Sequence, residues 1–152
     1  MEIKKIAIID FSGMRSVKDY HVDSVKKAIP EAEVILAYGA NDLLSKTDDV
    51  DVIITWAIPP IVTSDFIKFC REAKSLKWIH SFIAGVDAFM NSEIRDMDIT
   101  ITCAKGIHSF PMADHTLAYI FSFLRAFPVF IRSQLERKYN AQAESLCDET
   151  YN

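Results

Sequence analysis

The sequence predicts an α/β fold: a flavodoxin-like or Rossmann-like three-layer sandwich with a five-stranded parallel sheet and a long C-terminal helix. Two observations predict the sandwich. Short runs rich in β-branched residues alternate with longer amphipathic segments, which is the pattern of repeated βα units. Half of the 152 residues are apolar, enough to bury one core of ordinary domain size. After the fifth strand the alternation stops, and a long helical pattern predicts the terminal helix.

Five segments are predicted as strands: residues 6–9, 33–37, 52–55, 78–81 and 99–103. The first and third are almost continuous Ile and Val, which is typical of strands covered by helices on both faces. In sheets of this kind, ligands collect in the crevice at the carboxyl ends of the strands. The residues that follow each strand are therefore the candidate binding residues.

Helices are predicted over residues 16–29, 41–45 and 63–73, with a brief one after Gly85. Thr63 or Ser64 is the expected N-cap of the third, because a hydroxyl there can accept a bond from a free N–H of the first turn. The apolar residues of that helix recur at helical spacing and predict a buried stripe formed by Phe66, Ile67 and Cys70.

The terminal helix is predicted over residues 112–137, and Pro128 is expected to kink it or to end its first part. A helix that is apolar nearly all round needs a second partner besides its own domain. We therefore expect a homo-oligomer formed through this helix. One face carries Leu117, Ile120, Phe121, Leu124 and Phe127, and the residues expected to self-associate are Tyr119, Phe123, Phe127 and Phe130.

Charge and composition argue against several classes of partner. The net charge is −4, and the 17 Lys and Arg residues are scattered among 21 acidic ones, so no basic patch for nucleic acid or an anionic membrane is expected. The most apolar stretch, residues 117–131, contains Arg125 and Pro128 and is too short to span a bilayer. The first residues lead straight into a strand and leave no room for a signal peptide, which predicts a cytoplasmic location.

The three cysteines, Cys70, Cys103 and Cys147, are odd in number and far apart in sequence. They lack the CxxC or Cys/His spacing of a metal site. We expect three reduced thiols, with neither a metal nor a disulfide role.

Two segments carry a more specific signal. Residues 76–89, LKWIHSFIAGVDAF, take a strand into a tight turn at Ala84, Gly85, Val86 and Asp87. Residues 101–128 end the fifth strand at CAKG and then open a helix with PMADH. In order and spacing these segments resemble the D-isomer-specific 2-hydroxyacid dehydrogenases. That family has an S-x-x-A-G-V-D turn after strand four, N-x-x-G after strand five, and a helix opening P-x-A-E-H. Asp114 departs from the family's glutamate.

The resemblance implies a substrate-binding domain in which the main-chain amides of Ala84, Gly85 and Val86 hold the carboxylate of a 2-keto or 2-hydroxy acid. Successive amides present hydrogen-bond donors to an anion, and a glycine permits close backbone approach. The alternative is that this is simply a strand-to-helix turn that needs one glycine.

Further candidates are less specific. Trp56, with residues 57–59, follows the third strand, where related enzymes place a substrate-contacting loop; the alternative is an aromatic that closes the end of the sheet. His108 is a candidate ligand contact. His80 lies on a strand and is more typical of a core residue. Asp114 and His115 cannot form a close dyad, because adjacent helix positions point apart, and Asp114 is expected to favour the helix N-terminus or to cap local amides.

The family's hydride chemistry uses a His, a Glu and an Arg of the nicotinamide domain, and this chain has no counterpart motif. Its four glycines include no G-x-G pair, so no dinucleotide site is expected. Gly13 follows the first strand but is a weak signal alone. The expected organisation is a substrate-binding domain over residues 1–110, an interdomain and dimerisation helix over 111–137, and a tail over 138–152 where an NAD(P)-binding domain would begin in a full-length relative.

Three hypotheses about function remain. The first is the substrate-binding domain of an NAD(P)-dependent oxidoreductase, inactive as an isolated chain. The second is a non-enzymatic small-carboxylate-binding or regulatory module on the same fold. The third, a receiver-like signalling domain, is disfavoured because Asp10 stands alone after strand one and Trp56 follows strand three.

Overall fold

The computed structural model describes residues 2–56 and 62–139. The expectations for residues 57–59, for Cys147 and for most of the polar tail lie outside the described residues. The chain forms two compact units, Met1–Gly106 and Ile107–Asn152, and each is described by itself.

The first unit is a parallel α/β sandwich, as predicted. Its strands are hydrogen-bonded in the order β2-β1-β3-β4-β5, and every neighbouring pair is parallel. A 3-10 helix at Glu93–Asp96 precedes the last strand. The strands are β1 (Lys5–Asp10), β2 (Glu33–Ala37), β3 (Val52–Trp56), β4 (Trp78–Ser81) and β5 (Thr100–Cys103), and the helices are α1 (Asp19–Ala28), α2 (Ala40–Lys46), α3 (Ser64–Glu72) and α4 (Asp87–Met90).

Alternating side chains on the strands pack into hydrophobic cores on the two faces of the sheet. Ala7, Ile9, Ile53 and Ile79 pack in one core with buried residues of α2, α3, α4 and the 3-10 helix. On the opposite face, Ile6, Ile8 and Val52 pack with apolar residues of α1 and its flanking loops. Because successive residues of a strand point to opposite faces, near-continuous Ile and Val in β1 and β3 supply both cores.

Helix α3 shows why the sequence folds locally as it does. Of the two predicted N-caps, Thr63 is the one that caps the helix: its hydroxyl accepts a hydrogen bond from the Phe66 N–H at 3.2 Å. The buried stripe consists of Phe66, Phe69 and Cys70. Ile67, predicted for that stripe, is only partly buried, because Phe69 occupies the position nearest the core.

In the second unit, two helices take the place of the single predicted one. Helix α5 covers Ser109–Leu124 and α6 covers Phe127–Leu135. The break lies at Ala126, which has a left-handed φ of 51°, and Pro128 stands in the first turn of α6. Proline is tolerated there because its missing N–H would be unpaired in any case. Pro128 thus coincides with the end of the first part, as predicted.

The described helices include none that is long and apolar enough to cross a membrane.

Candidate functional site

The turn after β4 is fixed to its neighbours by backbone bonds. The Phe82 N–H donates to the Thr55 carbonyl at 3.0 Å, and the Ala104 N–H donates to the Ser81 and Ile83 carbonyls at 3.0 and 3.2 Å. The chain therefore leaves the sheet at a position set by both β3 and β5. The residues that follow, Ala84 to Val86, form the predicted carboxylate turn.

Three consecutive N–H groups of this turn are available to a ligand. Within the described part of the chain, no acceptor lies within hydrogen-bond distance of the amides of Ala84, Gly85 or Val86. Ala84 is exposed, and Gly85 and Val86 are half-buried. The Val86 carbonyl, by contrast, accepts bonds from Phe89 and Met90 and closes the turn from within. Among the described residues, the turn thus leaves these three donors without a hydrogen bond, while its Val86 carbonyl is bonded.

The conformation of Gly85 bears on why a glycine stands there. Its φ does not lie in the left-handed region, unlike those of Gly13, Gly39 and Gly106. A side chain added at Gly85 would meet the Asp87 Oδ2 at 3.0 Å. The φ of the residue therefore does not demand glycine, and the missing side chain leaves room for the Asp87 carboxylate beside the main chain.

A thiol fixes the orientation of the same turn. The Cys103 Sγ, at the end of β5, donates to the Ala84 carbonyl at 3.2 Å. Sequence reasoning treated Cys103 only as a reduced thiol. Its place at the end of a strand neighbouring the turn was the signal that could have found this contact.

Trp56 lies at the end of β3 in an aromatic row. Its ring centroid is 5.2 Å from that of Phe82 and 6.2 Å from that of His21. It also packs against the core residues Ile8, Val17 and Val22. Both interpretations of Trp56 thus have a physical basis, since one part of the indole packs in the core while the side chain remains half-buried at the carboxyl edge.

His80 has structural partners. Its Nδ1 lies 2.8 Å from the Thr102 Oγ1, which also accepts the Trp78 Nε1–H at 2.8 Å. His108 is the exposed residue before α5, in the second unit, and its side chain makes no capping bond. The candidate site described here therefore consists of first-unit residues.

The helix opening also differs from expectation. Because α5 begins at Ser109 rather than residue 112, Asp114 falls outside its first turn and cannot cap it. His115 packs edge-on against Tyr119, with ring centroids 4.5 Å apart. The expectation that Asp114 would favour the helix N-terminus is wrong for that reason.

The loop after β1 carries a buried carboxylate that the sequence reading left unassigned. Asp10 Oδ1 accepts bonds from the Ser12 N–H at 2.8 Å and the Ser12 hydroxyl at 2.5 Å, and its Oδ2 accepts from the Val17 N–H at 2.9 Å. Burial alone would raise the pKa of Asp10, but these hydrogen bonds outweigh burial and hold the pKa below its ordinary value. The D-x-S pattern directly after a strand is the turn signal that could have revealed it.

This loop does not fit a dinucleotide. Nucleotide-binding sandwiches offer free N–H groups after the first strand to a phosphate. Here the N–H groups of Ser12 and Val17 already donate to Asp10, and a phosphate would meet a carboxylate of like charge.

Metal sites, thiols and clefts elsewhere in the described residues were the other candidates for a functional site. Among residues 2–56 and 62–139, no group of three or more His, Cys, Asp or Glu side chains is placed to hold a metal ion. Cys70 and Cys103 are free thiols, and burial raises the pKa of Cys70 to about 12. A cleft of about 680 Å³ beside α3 and α4 is lined by residues such as Val62, Ala88 and Arg95, and it includes no residue of the carboxylate turn.

Comparison with known proteins decides the family. Residues 6–150 match the family described as D-isomer specific 2-hydroxyacid dehydrogenase, catalytic domain. The chain belongs to this family. Its match covers nearly the whole sequence, including both motifs on which the resemblance was based. No curated protein matches the chain.

Three solved dehydrogenase structures share the fold. A D-isomer specific 2-hydroxyacid dehydrogenase family protein from Aeromonas salmonicida is similar with a TM-score of 0.66 at 18% identity, over 91% of this chain and 41% of that one. Rhodotorula graminis D-mandelate dehydrogenase has a TM-score of 0.63 at 15% identity, over 99% and 44%. An NAD-dependent formate dehydrogenase from Staphylococcus aureus, solved with NAD, has a TM-score of 0.59 at 18% identity, over 91% and 42%. This dehydrogenase domain thus spans less than half the length of each.

Proposed function

We propose that this chain is the substrate-binding half of an NAD(P)-dependent 2-hydroxyacid oxidoreductase. It holds the carboxylate of a small 2-keto or 2-hydroxy acid on the N–H groups of Ala84, Gly85 and Val86. The observation that carries the proposal is the set of three consecutive amides, in one exposed and two half-buried residues, that make no hydrogen bond to the described residues. Hydrogen bonds to a charged acceptor are about twice as strong as neutral ones, which favours a carboxylate over a neutral ligand.

The turn orients its ligand without performing chemistry. The Asp87 carboxylate lies beside Gly85, and its negative charge would not polarise a substrate carbonyl. The β1–α1 loop does not fit a dinucleotide. We therefore propose that hydride transfer needs NAD(P) and acid-base groups carried by a nicotinamide-binding domain, while this domain fixes the acid.

Amide chemical shifts test the carboxylate turn. Pyruvate and D-lactate titrated into the ¹⁵N-labelled chain are expected to shift the amides of Ala84, Gly85 and Val86. Lactamide is the matched control, because it keeps the size of lactate but lacks the charge. Unchanged turn amides at millimolar acid, or equal shifts with lactamide, would contradict the proposal.

A second candidate, carboxylate binding without catalysis, is favoured by the occupied β1–α1 loop. We expect the purified chain neither to bind NADH nor to reduce glyoxylate, pyruvate or hydroxypyruvate. NADH fluorescence titration and an absorbance assay measure both properties. Adding a separately produced nicotinamide domain of a family member distinguishes the candidates, since recovered reductase activity would support the dehydrogenase half and oppose a purely binding role.

The proposal includes a homo-oligomer formed through residues 112–137, and His108 stays a predicted ligand contact. It also includes a cytoplasmic location. The two described cysteines are free thiols, which is the state that a reducing compartment maintains. Cell fractionation of the tagged chain tests the location.

A further inference from the structure

We propose that the side chain of the acid bound at the turn lies against the rings of Trp56 and Phe82, so the site prefers acids with an aromatic side chain over lactate or pyruvate. This inference rests on the proposed function and adds the substrate class. It is carried by the adjacent rings of Trp56 and Phe82 at the carboxyl edge of the sheet.

The row of rings that includes them runs from α1 across β3 to β4. Successive ring centroids are 6.2 Å apart between His21 and Trp56, 5.2 Å between Trp56 and Phe82, 5.7 Å between Phe82 and His80, and 6.1 Å between His80 and Trp78. These separations lie in the range in which aromatic pairs attract one another. Trp56 and Phe82 are both half-buried, so each ring retains a surface that a ligand can cover.

The wall formed by Trp56 and Phe82 is adjacent to the carboxylate turn. Phe82 stands two residues before Ala84, and its N–H bond to the Thr55 carbonyl holds it beside β3. Ile83 packs in the core on the other side of the sheet, which leaves Phe82 on the side of Trp56. Neighbouring strands are about 4.8 Å apart, a distance that one aromatic substituent on a bound acid can bridge.

Among the described residues of the first unit, no aromatic wall lies on the β5 side of the turn. Towards β5 the turn meets the Cys103 thiol, followed by exposed Lys105 and Gly106. An apolar substituent placed there would gain little burial. The wall towards β3 is therefore the side on which an aromatic ring can leave water.

Trp56 and Trp78 differ in a way that supplies a control. The Trp78 indole N–H donates to Thr102, whereas no acceptor for the Trp56 indole N–H lies among the described residues. The Trp56 N–H is also not a buried, unpaired group. Trp56 thus has both a ring face and an N–H donor open to a ligand, whereas the indole N–H of Trp78 is already bonded to Thr102.

The test compares D-3-phenyllactate with D-lactate by calorimetry and by amide shifts at residues 84–86. Wild type is expected to bind phenyllactate about fivefold more tightly, the effect of one additional aromatic contact. Trp56→Leu should abolish this preference, and Trp78→Phe should retain it. Equal affinities in wild type, or a preference that survives Trp56→Leu, would overturn the inference.

Because Trp56 also packs against Val17 and Val22, a second measurement avoids the variant. In wild type, intermolecular NOEs from the phenyl protons of the ligand to the rings of Trp56 and Phe82 are expected, and their absence in the bound complex would overturn the inference. If D-lactate shifts the turn amides but phenyllactate binds no better, only the substrate class is wrong. If neither acid shifts them, the carboxylate turn itself is wrong.

Discussion

The thiol of Cys103 donates to the carbonyl of Ala84 at 3.2 Å and thereby joins the end of the edge strand to the carboxylate turn. In a planar trans peptide the carbonyl and the following N–H point in opposite directions. The bond that holds the Ala84 carbonyl towards Cys103 therefore also directs the Gly85 N–H away from β5. Cys103 can thus orient the Gly85 N–H towards a ligand without contacting the ligand itself.

Removing this thiol should weaken ligand binding more than folding. For Cys103→Ala we expect D-lactate affinity to fall about threefold, the effect of one lost neutral hydrogen bond. Cys103→Ser keeps a donor and should retain more of the affinity. Thr100→Ala, at an exposed position of the same strand, is the control. Calorimetry gives the affinities, and an unchanged affinity in Cys103→Ala would show that the contact does not orient the turn.

Gly85→Ala tests whether the carboxylate turn needs a residue without a side chain. Because φ at Gly85 is not left-handed and the nearest obstacle is the Asp87 carboxylate at 3.0 Å, we expect a loss of stability of only about 1 kcal/mol or less. The affinity for D-lactate should fall by a larger free energy than the stability does, because we expect the new methyl to cover the amides. Asp87→Ala combined with Gly85→Ala should recover stability but not binding. Recovery of binding in the double variant would mean that Asp87, not the methyl, obstructs the ligand.

Asp10 predicts a pH dependence of stability with a definite sign. Its pKa in the folded chain lies below the ordinary value, so its contribution to stability is present above the pKa of the unfolded chain. That contribution is lost as the pH falls through the folded pKa. Asp10→Asn should cost about 1–3 kcal/mol at pH 7, and the difference from wild type should shrink below about pH 4. Urea denaturation across this range measures it, with exposed Asp98→Asn as the control; a difference independent of pH would contradict the assignment.

The end of α6 offers a stabilising substitution. The Lys138 N–H donates to the Ser133 carbonyl at 2.9 Å and the Arg137 N–H to the Gln134 carbonyl at 3.1 Å, with Arg137 at a φ of 53°. This is the helix ending that favours glycine. Arg137→Gly should stabilise the last turn by about 1 kcal/mol, seen as slower hydrogen exchange at Lys138. Arg132→Gly, inside α6, should speed exchange by a similar free energy, and faster exchange in Arg137→Gly would refute the reasoning.

Self-association is expected through the aromatic residues of α5 and α6. Exposed apolar surface of this extent marks an association site. We expect wild type to sediment as a dimer or larger at micromolar concentrations, and Phe123→Gln with Phe127→Gln to shift it towards monomer. Tyr139→Gln is the control, and a monomeric wild type would contradict the expectation. The exposed fractions are 55% for Tyr119, 68% for Phe123, 52% for Phe127 and 38% for Phe130.

The strands were predictable because an all-parallel sheet imposes long β-branched runs, and all five strands form where those runs lie. Helix boundaries were less predictable. Helix α1 starts at Asp19 rather than residue 16, and the chain before it belongs to the loop in which the Val17 N–H donates to the distant Asp10. Helix α5 starts earlier than expected, because Pro111 is compatible with a first turn whose N–H groups need no helical partner. Local pattern does not encode such tertiary bonds.

The candidate site also has a part that was predictable from the sequence and a part that was not. The turn at Ala84 to Val86 was predictable because its motif is contiguous in the sequence. The contact from Cys103 and the row joining Trp56 to Phe82 unite residues of different strands, and their proximity follows only from strand order. His108 lies in the second unit, and its contact with a ligand stays a prediction.

The carboxylate of Asp10 has a consequence for protein engineering. Adding glycines after β1 would not graft a nucleotide pocket onto this sheet, because the amides that such a pocket needs already serve Asp10. Removing Asp10 would release those amides but would also undo the loop that they shape. A designer who wants a cofactor here must rebuild the loop as a whole, and joining an intact second domain is the shorter route.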